Sequence, residues 1–275
     1  AFQSAAASEF DEMKALADKG IAYAQFNLGI MYANGEAVPE NDAEAVKWYR
    51  KAAEQGLAVA QYNLGFMYAN GEAVPENDAE AVKWFRKAAE QGYAYAQHTL
   101  GFMYANGEGV PENDAEAVKW YRKAADQGYL DAQYNLGTMY ANGEGVPEND
   151  AEAVKWYRKA ADKGYALAQY NLGIMYDNGE GVPENDAEAV KWYRKAADQG
   201  LANAQLNLGV MYDNGEGVPE NNIRAYVWWS MAKTQGNANA ASNIDILKPD
   251  MTPQQIADGQ ALAAKCYESN YNDCD

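Results

Sequence analysis

The amino-acid sequence predicts an all-α fold of six consecutive helix pairs, and three regular features indicate it. Tryptophan recurs every 36 positions, at Trp48, Trp84, Trp120, Trp156, Trp192 and Trp228. A proline series from Pro39 and a glycine series from Gly29 keep the same step. A period of this length indicates stacked supersecondary repeats, because no single repeat can bury its apolar face alone. Within each repeat, two segments have apolar residues at helical spacing.

The fourth repeat shows how the two helices of a pair are expected to begin and end. Helix A is predicted over 129–143 and stops at Asn142-Gly143, since Asn and Gly accept the left-handed backbone conformation. The loop EGVPEN follows, and its proline cannot continue a helix. Helix B is predicted over 150–162, with Asn149 or Asp150 capping its first N–H groups. Its apolar stripe consists of Ala153, Val154, Tyr157, Ala160 and Ala161.

The repeats divide the chain into three parts. Six repeats are predicted over 21–236, with an N-terminal capping helix in 1–20 that is most apparent over 9–19. Residues 237–275 are predicted to form C-terminal capping helices and a cysteine-containing tail. Thr252 is placed to cap a last helix that begins at Pro253, the favoured first helical residue. The ends depart from the internal pattern, as expected where a stack must present a polar outer side.

The segment AQYNLGTMYANGEGVPENDAEAVKWYRKAADKG, residues 132–164, closely resembles the Sel1-like repeat, a relative of the tetratricopeptide repeat. The resemblance is carried by Ala-Gln…Leu-Gly…Tyr…Gly in helix A and by Ala…Trp-Tyr…Lys-Ala-Ala…Gly in helix B. It implies a right-handed α-solenoid superhelix of antiparallel helix pairs, in which helix A surfaces line a concave groove. It also implies an interaction scaffold rather than an enzyme.

Composition restricts the partners that this chain is expected to bind. The formal net charge is −18, from 22 Lys and Arg against 40 Asp and Glu. Nucleic acid is disfavoured, because phosphate binding depends on Lys and Arg, and anionic lipid is disfavoured for the same reason. No apolar run approaches the roughly 18 residues needed to span a bilayer. We therefore expect an acidic protein that binds no nucleic acid and does not insert into membranes.

The sequence offers few residues for catalysis. His98 is the only histidine, Ser is absent between Ser8 and Ser230, and both cysteines lie in the last ten residues. Neither a catalytic residue nor a metal or cofactor is predicted. The acidic loops raise calcium binding as an alternative, although carboxylates also suit a helix N-terminus. A hydrolase acting on a cell-wall-type substrate, and a structural spacer without a groove ligand, remain alternative functions.

Comparison of the six copies indicates where a partner would bind. The third, sixth, tenth and thirteenth residues of the repeat vary in chemistry and fall on one helix A stripe about 80° wide. The first three rows are mainly apolar and aromatic, which is typical of a protein-binding or peptide-binding surface. These rows are Tyr23, Val59, Tyr95, Asp131, Leu167 and Asn203; Phe26, Tyr62, His98, Tyr134, Tyr170 and Leu206; and Ile30, Phe66, Phe102, Thr138, Ile174 and Val210.

Two alternatives accompany this interpretation. The aromatic residues of the sixth-position row would also serve to pack neighbouring repeats. A row of asparagines beside the stripe would either clamp a peptide backbone or simply end the helices. This row consists of Asn34, Asn70, Asn106, Asn142, Asn178 and Asn214.

The chain termini lead to expectations about the compartment. The first residue is Ala1 rather than Met, which suggests a removed secretory signal, although a trimmed chain would begin in the same way. The tail after the last helix would fray unless tied down, and we expect a Cys266–Cys274 disulfide to hold it. The ending also resembles exported members of the Sel1-like family. The expected location is a bacterial periplasm or the exterior, with the protein acting as a monomer. Two free thiols in a cytosolic protein are the alternative.

Overall fold

The computed structural model describes residues 2–271, 273 and 274. Side chains are described from residue 9 onward. This part of the chain is helical and contains no β-strand. A short 3-10 helix covers Lys248–Asp250. The α-helices are α1 Phe2–Asp18, α2 Ala22–Asn34, α3 Asp42–Glu54, α4 Ala58–Asn70, α5 Asp78–Glu90, α6 Ala94–Asn106, α7 Asp114–Asp126, α8 Leu130–Asn142, α9 Asp150–Ala161, α10 Ala166–Asn178, α11 Asp186–Ala197, α12 Ala202–Asn214, α13 Asn222–Thr234, α14 Ala238–Leu247 and α15 Pro253–Glu268.

Within each unit, neighbouring helices pack together, for example α2 on α3 and α12 on α13, and the all-α solenoid predicted from the sequence is confirmed. Residues cluster into two compact units. Unit 1 comprises Ala1–Ala132 and Glu144–Val146, and unit 2 comprises Gln133–Gly143 and Pro147–Asp275. The pairs α2–α3, α4–α5 and α6–α7 belong to unit 1, whereas α10–α11 and α12–α13 belong to unit 2.

Helix A ends at the predicted Asn-Gly pair, and only the glycine of the pair takes the left-handed conformation. In the first repeat, Asn34 is the last helical residue, and Gly35 takes the left-handed conformation with φ of 67°. The N–H of Gly35 bonds to the carbonyl of Met31, which satisfies a group that the helix end would leave unpaired. Helix B begins with a side-chain cap. In the fourth repeat, the cap is Asn149 rather than Asp150, and its side chain accepts the N–H of Glu152 at 3.1 Å.

The predicted apolar stripe of helix B is buried. In α9, all five of its predicted stripe residues are buried, and the neighbouring Trp156 is buried with them. Helix A contributes a matching row of buried alanine, leucine and methionine. Between α6 and α7, Gly101 faces the ring of Tyr121, which would lie 2.8 Å from a Cβ atom added to the glycine. The small residue therefore sets how closely α6 and α7 approach.

A buried glutamine in helix A connects successive repeats. The Nε2 of Gln61 donates to the carbonyl oxygen of Ala53 at 3.0 Å, at the end of the preceding helix B. The Oε1 of Gln61 accepts from the Nε2 of Gln91 at 2.7 Å, just beyond the following helix B. Gln97 makes the same two bonds, to Ala89 and from Gln127. These bonds satisfy a buried amide and fix the alignment of one pair on the next.

The terminal helices differ from the internal pairs. Helix α1 begins at Phe2, seven residues before the segment in which the sequence makes it most apparent. At the other end, Thr252 caps α15, as its position predicts: its hydroxyl accepts the N–H of Gln255, and the Gln255 side chain accepts the N–H of Thr252. Helix α13 is buried on several sides, and Trp228 and Trp229 are both enclosed. Helix α15 packs on α13 and covers this apolar surface.

Candidate partner-binding face

Helices α2, α4 and α6 each turn one side toward solvent in unit 1. We call this side the unit 1 face; it consists of Tyr23, Phe26, Ile30, Val59, Tyr62, Phe66, Tyr95, His98 and Phe102. Four of its rings are strongly exposed, with exposed fractions of 66% for Tyr23, 51% for Tyr95, 47% for Phe66 and 44% for Phe102. Helix A buries its alanine, glutamine, leucine and glycine on the other side, so these rings are not needed for that packing.

The sixth-position residues are half-buried, because each contacts a ring of its own helix B. The centroids of Phe26 and Tyr49 lie 5.7 Å apart, and those of Tyr62 and Phe85 lie 5.5 Å apart. His98 lies 5.5 Å from Tyr121 in the same way. A packing role is therefore present in this row, and the outer edge of each ring remains accessible.

The sixth-position residues also contact the first residue of the next repeat. Tyr62 lies 5.4 Å from Tyr93, and His98 lies 5.0 Å from Tyr129. Tyr95 connects both contacts, at 5.5 Å from Tyr93 and 5.1 Å from Tyr129. We call these five residues (Tyr62, Tyr93, Tyr95, His98 and Tyr129) the tyrosine cluster. It joins α4, α6 and the residue before α8 on one surface.

Tyr93 and Tyr129 are part of the cluster although sequence reasoning did not select them. They occupy the first position of the repeat, which is not one of the four positions selected because their chemistry varies from copy to copy. A signal was present, since the first residue of every repeat is large and apolar or aromatic. This row reads Ile21, Leu57, Tyr93, Tyr129, Tyr165 and Leu201.

Burial shifts the pKa of three members of the tyrosine cluster, Tyr93, His98 and Tyr129. Burial raises the pKa of Tyr93, and burial together with the neighbouring Asp131 carboxylate raises the pKa of Tyr129 to about 12. Burial lowers the pKa of His98 from its ordinary value, and this outweighs the opposite effect of Asp131. His98 is therefore largely neutral at pH 7 and lies beside Tyr121 and Tyr129, which is a packing environment.

Unit 2 presents a second set of predicted residues, which is less aromatic. This set consists of Tyr134 and Thr138 of α8, Leu167, Tyr170 and Ile174 of α10, and Asn203, Leu206 and Val210 of α12. Tyr134 and Tyr170 pack on helix B tyrosines, with centroids 5.9 and 6.0 Å apart. The remaining predicted residue, Asp131, belongs to unit 1. The strongly exposed aromatic rings of the predicted set thus lie in unit 1.

The asparagine row is engaged at the helix ends. Asn34 donates to the Glu36 carboxylate at 2.8 Å, and Asn70 donates to Glu72 at 3.0 Å. Asn106 instead donates to the carbonyl oxygen of Phe102 at 2.9 Å. These bonds favour the helix-ending role, because the amides already have partners within the turn.

The acidic loops bear on metal binding, and the helices bear on membrane insertion. Among the described residues, no group of three or more His, Cys, Asp or Glu is arranged to hold a metal ion. Over the same part of the chain, no helix has both the length and the apolar composition that crossing a bilayer requires.

The two cysteines meet at the end of α15. Cys266 and Cys274 lie side by side, with Cα atoms 4.4 Å apart, and both side chains are buried. After α15 the chain turns at Tyr271, whose N–H bonds to the carbonyl oxygen of Cys266 at 2.9 Å. Lys265 forms an ion pair with Asp273 at 2.8 Å across the same turn.

The segments of this chain that match a known family repeat with the same 36-residue period. The Sel1 repeat family matches six successive segments: 22–57, 58–93, 94–129, 130–165, 166–201 and 202–237. Each begins one residue after the boundary predicted here. A Sel1 repeat protein from Oxalobacter formigenes is 38% identical in sequence, with a TM-score of 0.67; the alignment covers 78% of this chain and 85% of that one.

A second solved structure matches over more of the chain. It is c5321, a protective antigen present in uropathogenic Escherichia coli strains that displays an SLR fold. The two sequences are 28% identical over 96% of this chain and 80% of that chain, with a TM-score of 0.53. No match was found among the curated proteins.

Proposed function

This chain belongs to the Sel1 repeat family, and from that premise we propose that it binds a protein or peptide partner without catalysis. Sel1 repeat proteins generally act as protein–protein interaction scaffolds and are typically non-catalytic. The observation that carries the proposal is the set of four exposed aromatic rings on α2, α4 and α6. An exposed aromatic patch of this kind is typical of a binding surface.

The arrangement of the rings supports a binding role rather than a packing one. Phe66 and Phe102 come four residues after Tyr62 and His98 on the same helices, so they lie on the same helix face as these members of the tyrosine cluster. Tyr and Phe lose little side-chain entropy on binding and bury a large area, which makes them common hot spots. The alternative of a hydrolase gains no support from His98, which lies against two tyrosine rings.

Removing two of these rings tests the proposal. We expect the double variant Tyr95→Ala with Phe66→Ala to weaken partner binding by about 2 kcal/mol or more, roughly 30-fold. The partner would be captured from an envelope extract on the immobilised wild-type chain, and its affinity for both proteins then measured.

A matched control comes from exposed apolar residues elsewhere. Ile246 and Tyr267 are 72% and 61% exposed and lie outside the predicted face. The double variant Ile246→Ala with Tyr267→Ala should bind the partner as wild type does. Helicity measured by circular dichroism should be unchanged in both double variants. Equal affinity of all three folded proteins would rule the unit 1 face out as the binding site.

We also propose that the chain acts as a monomer in an oxidising compartment of a bacterial envelope, with Cys266 and Cys274 disulfide-bonded. The burial of both cysteines and the short Cα separation support the bond. Closing this short loop is expected to stabilise the tail by roughly 2–3 kcal/mol in the chain-entropy model. Disulfides persist in such compartments and are rare in the cytosol.

Intact mass tests the bond directly. Natively purified protein should be two hydrogen atoms lighter before reduction than after it, because forming a disulfide removes one hydrogen from each thiol. The variant Cys274→Ser should show no such change on reduction. Complete alkylation of two thiols in native, unreduced protein would contradict both the bond and the compartment.

A further inference from the structure

We propose that the ligand of the unit 1 face is a cationic peptide segment, whose Arg or Lys side chains stack on the tyrosine cluster. This inference rests on the proposed function and specifies the chemistry of its partner. It depends on how charge is distributed over the repeats, on the spacing of the rings, and on a pocket at one end of the face.

Charge is separated between the two helices of each repeat. None of the 22 Lys and Arg residues lies in the six helix A segments, where the only charged residues are Asp131, Asp177 and Asp213. Helices α2, α4 and α6 contain no charged residue at all. The unit 1 face therefore contributes no cation of its own, and the nearest helix A charge is the carboxylate of Asp131.

The Lys and Arg residues of helix B contact carboxylates and aromatic rings of the chain itself. In the second repeat, Lys83 pairs with Glu80 at 2.7 Å, and Arg86 donates to the hydroxyl of Tyr104 at 2.6 Å. The Nζ of Lys87 lies 4.0 Å from the centroid of the Trp84 ring. Contact between a cation and a ring is thus a regular element of this chain, and the rings of the tyrosine cluster offer the same chemistry to a partner.

The ring spacing in the tyrosine cluster suits a cation. A Lys or Arg group is attracted to an aromatic face within about 6 Å of the ring centroid. The centroid of Tyr95 lies 5.1 Å from that of Tyr129 and 6.3 Å from that of Tyr62. One guanidinium placed at Tyr95 therefore lies within reach of a second ring. His98 does not repel it, because burial lowers the His98 pKa and the ring is neutral at pH 7.

Asp131 provides a charged end to the cluster. Its carboxylate forms a side-chain hydrogen bond with Tyr129 and lies close enough to affect His98 electrostatically. A carboxylate beside stacked rings supplies the charge-assisted bond that fixes the direction of an Arg side chain. Aromatic faces and a carboxylate are then available together to a single side chain.

A pocket at the other end of the unit 1 face has the same character. Its volume is about 500 Å³, and it shares Ile30 with the face. Met13 and Met31 add apolar surface, and Glu9 and Glu36 add two carboxylates. An aliphatic stem with a cationic head fits such a lining, since Lys and Arg place their methylenes on apolar surface and their charge at its edge. The two sites therefore favour basic side chains at separate points along one segment.

The acidic net charge of the chain acts in the same direction. A net charge of −18 attracts a basic segment at long range and speeds its encounter. This general attraction weakens as salt screens it over about 8–10 Å. Contacts with the rings are shorter in range and less screened. Salt dependence thus separates attraction by the whole chain from recognition at the tyrosine cluster.

Peptides that differ only in charge test the inference. The probes are three fluorescent peptides of equal length, in which Arg, the neutral isostere citrulline or Glu alternates with Gly. Fluorescence polarisation with the full chain at 0.15 M salt should give an affinity about tenfold higher for the Arg peptide than for the citrulline peptide. The Glu peptide should show no binding.

Variants locate the preference. Tyr95→Leu keeps an apolar side chain and removes the ring, and Asp131→Asn removes the charge; each should lower the Arg-peptide affinity about fivefold to tenfold. Tyr95→Phe keeps an aromatic ring and should retain most of the affinity. The variant Tyr267→Leu, outside the face, should behave as wild type.

The failure of this inference is distinguishable from that of the proposed function. Equal binding of Arg and citrulline peptides, or no binding of either, would overturn the cationic ligand. The proposed function would survive that result if the Tyr95→Ala, Phe66→Ala variant still lost the captured partner. An Arg preference unchanged by Tyr95→Leu and Asp131→Asn would also overturn the inference, because overall acidity would then explain it.

Discussion

Replacing Trp156 with alanine is expected to lower the free energy of unfolding by about 3–5 kcal/mol. The side chain is only 5% exposed and lies on the buried side of α9. Its removal takes a large apolar area out of the core and leaves a cavity that fixed helices fill poorly. Since each repeat is stabilised by its neighbours, the loss is concentrated in the middle of the chain.

Urea denaturation followed by circular dichroism measures this loss. Because solenoid repeats are coupled mainly to their neighbours, the transition is expected to broaden or to divide into phases rather than only shift. Lys159→Ala is a suitable control, because it removes the Nζ that lies 3.7 Å from the Trp156 ring centroid and leaves the ring in place. That variant should lose less than about 1 kcal/mol. A comparably small loss for Trp156→Ala would contradict the burial of the indole.

Introducing a single methyl group at Gly109 is expected to destabilise the protein by about 2–4 kcal/mol. Gly109 has φ of 66°, in the left-handed region that costs other residues roughly 1–2 kcal/mol. An added Cβ atom would also lie 2.5 Å from the carbonyl carbon and oxygen of Asp78, the first residue of α5. Backbone at that distance has to move, which adds the cost of overpacking.

The second repeat provides the reverse experiment. Ala73 occupies the position equivalent to Gly109 and has φ of 55°. Ala73→Gly is therefore expected to stabilise the protein by about 1 kcal/mol, by removing the left-handed strain. Both variants can be compared with wild type by thermal and urea denaturation. Opposite signs support the argument, and a neutral Gly109→Ala would show that the neighbouring backbone accommodates the methyl group freely.

Periodicity within the sequence was enough to predict the helix pairs and most of their cores. Apolar spacing identified the buried stripe of α9, and residue type identified Thr252 as the cap of α15. These features depend on residues close in sequence. The buried glutamine bonds could not be derived in this way, because Gln61 and its partner Gln91 lie 30 residues apart and a polar side chain gives no sign of its partner.

The sequence indicated some residues of the candidate site and not others, because it does not show which side chains of neighbouring repeats come into contact. Comparison of copies selected the exposed rings of α2, α4 and α6, since variable positions fall on one stripe. It left open whether the sixth-position aromatics pack or bind, and the structure shows that they pack on helix B rings such as Phe85. Tyr93 and Tyr129 were missed because the first position of the repeat is apolar or aromatic in every copy and so does not belong to the variable stripe. The division into two compact units has no sign in a period that continues without interruption.

The identity of residues 107–128 and 179–200 has a consequence for how the chain finds its register. Two segments with the same letters offer the same bonds to any neighbour, so interior contacts alone do not distinguish a correct pairing from one displaced by whole periods. The ends remove this degeneracy. Trp229, where internal pairs have Tyr or Phe, donates to the carbonyl oxygen of Leu206 at 3.0 Å, and α15 covers α13. The terminal helices thus act as the reference from which these identical segments are counted, and the loss of two whole periods would put one segment in the place of the other with the same residues.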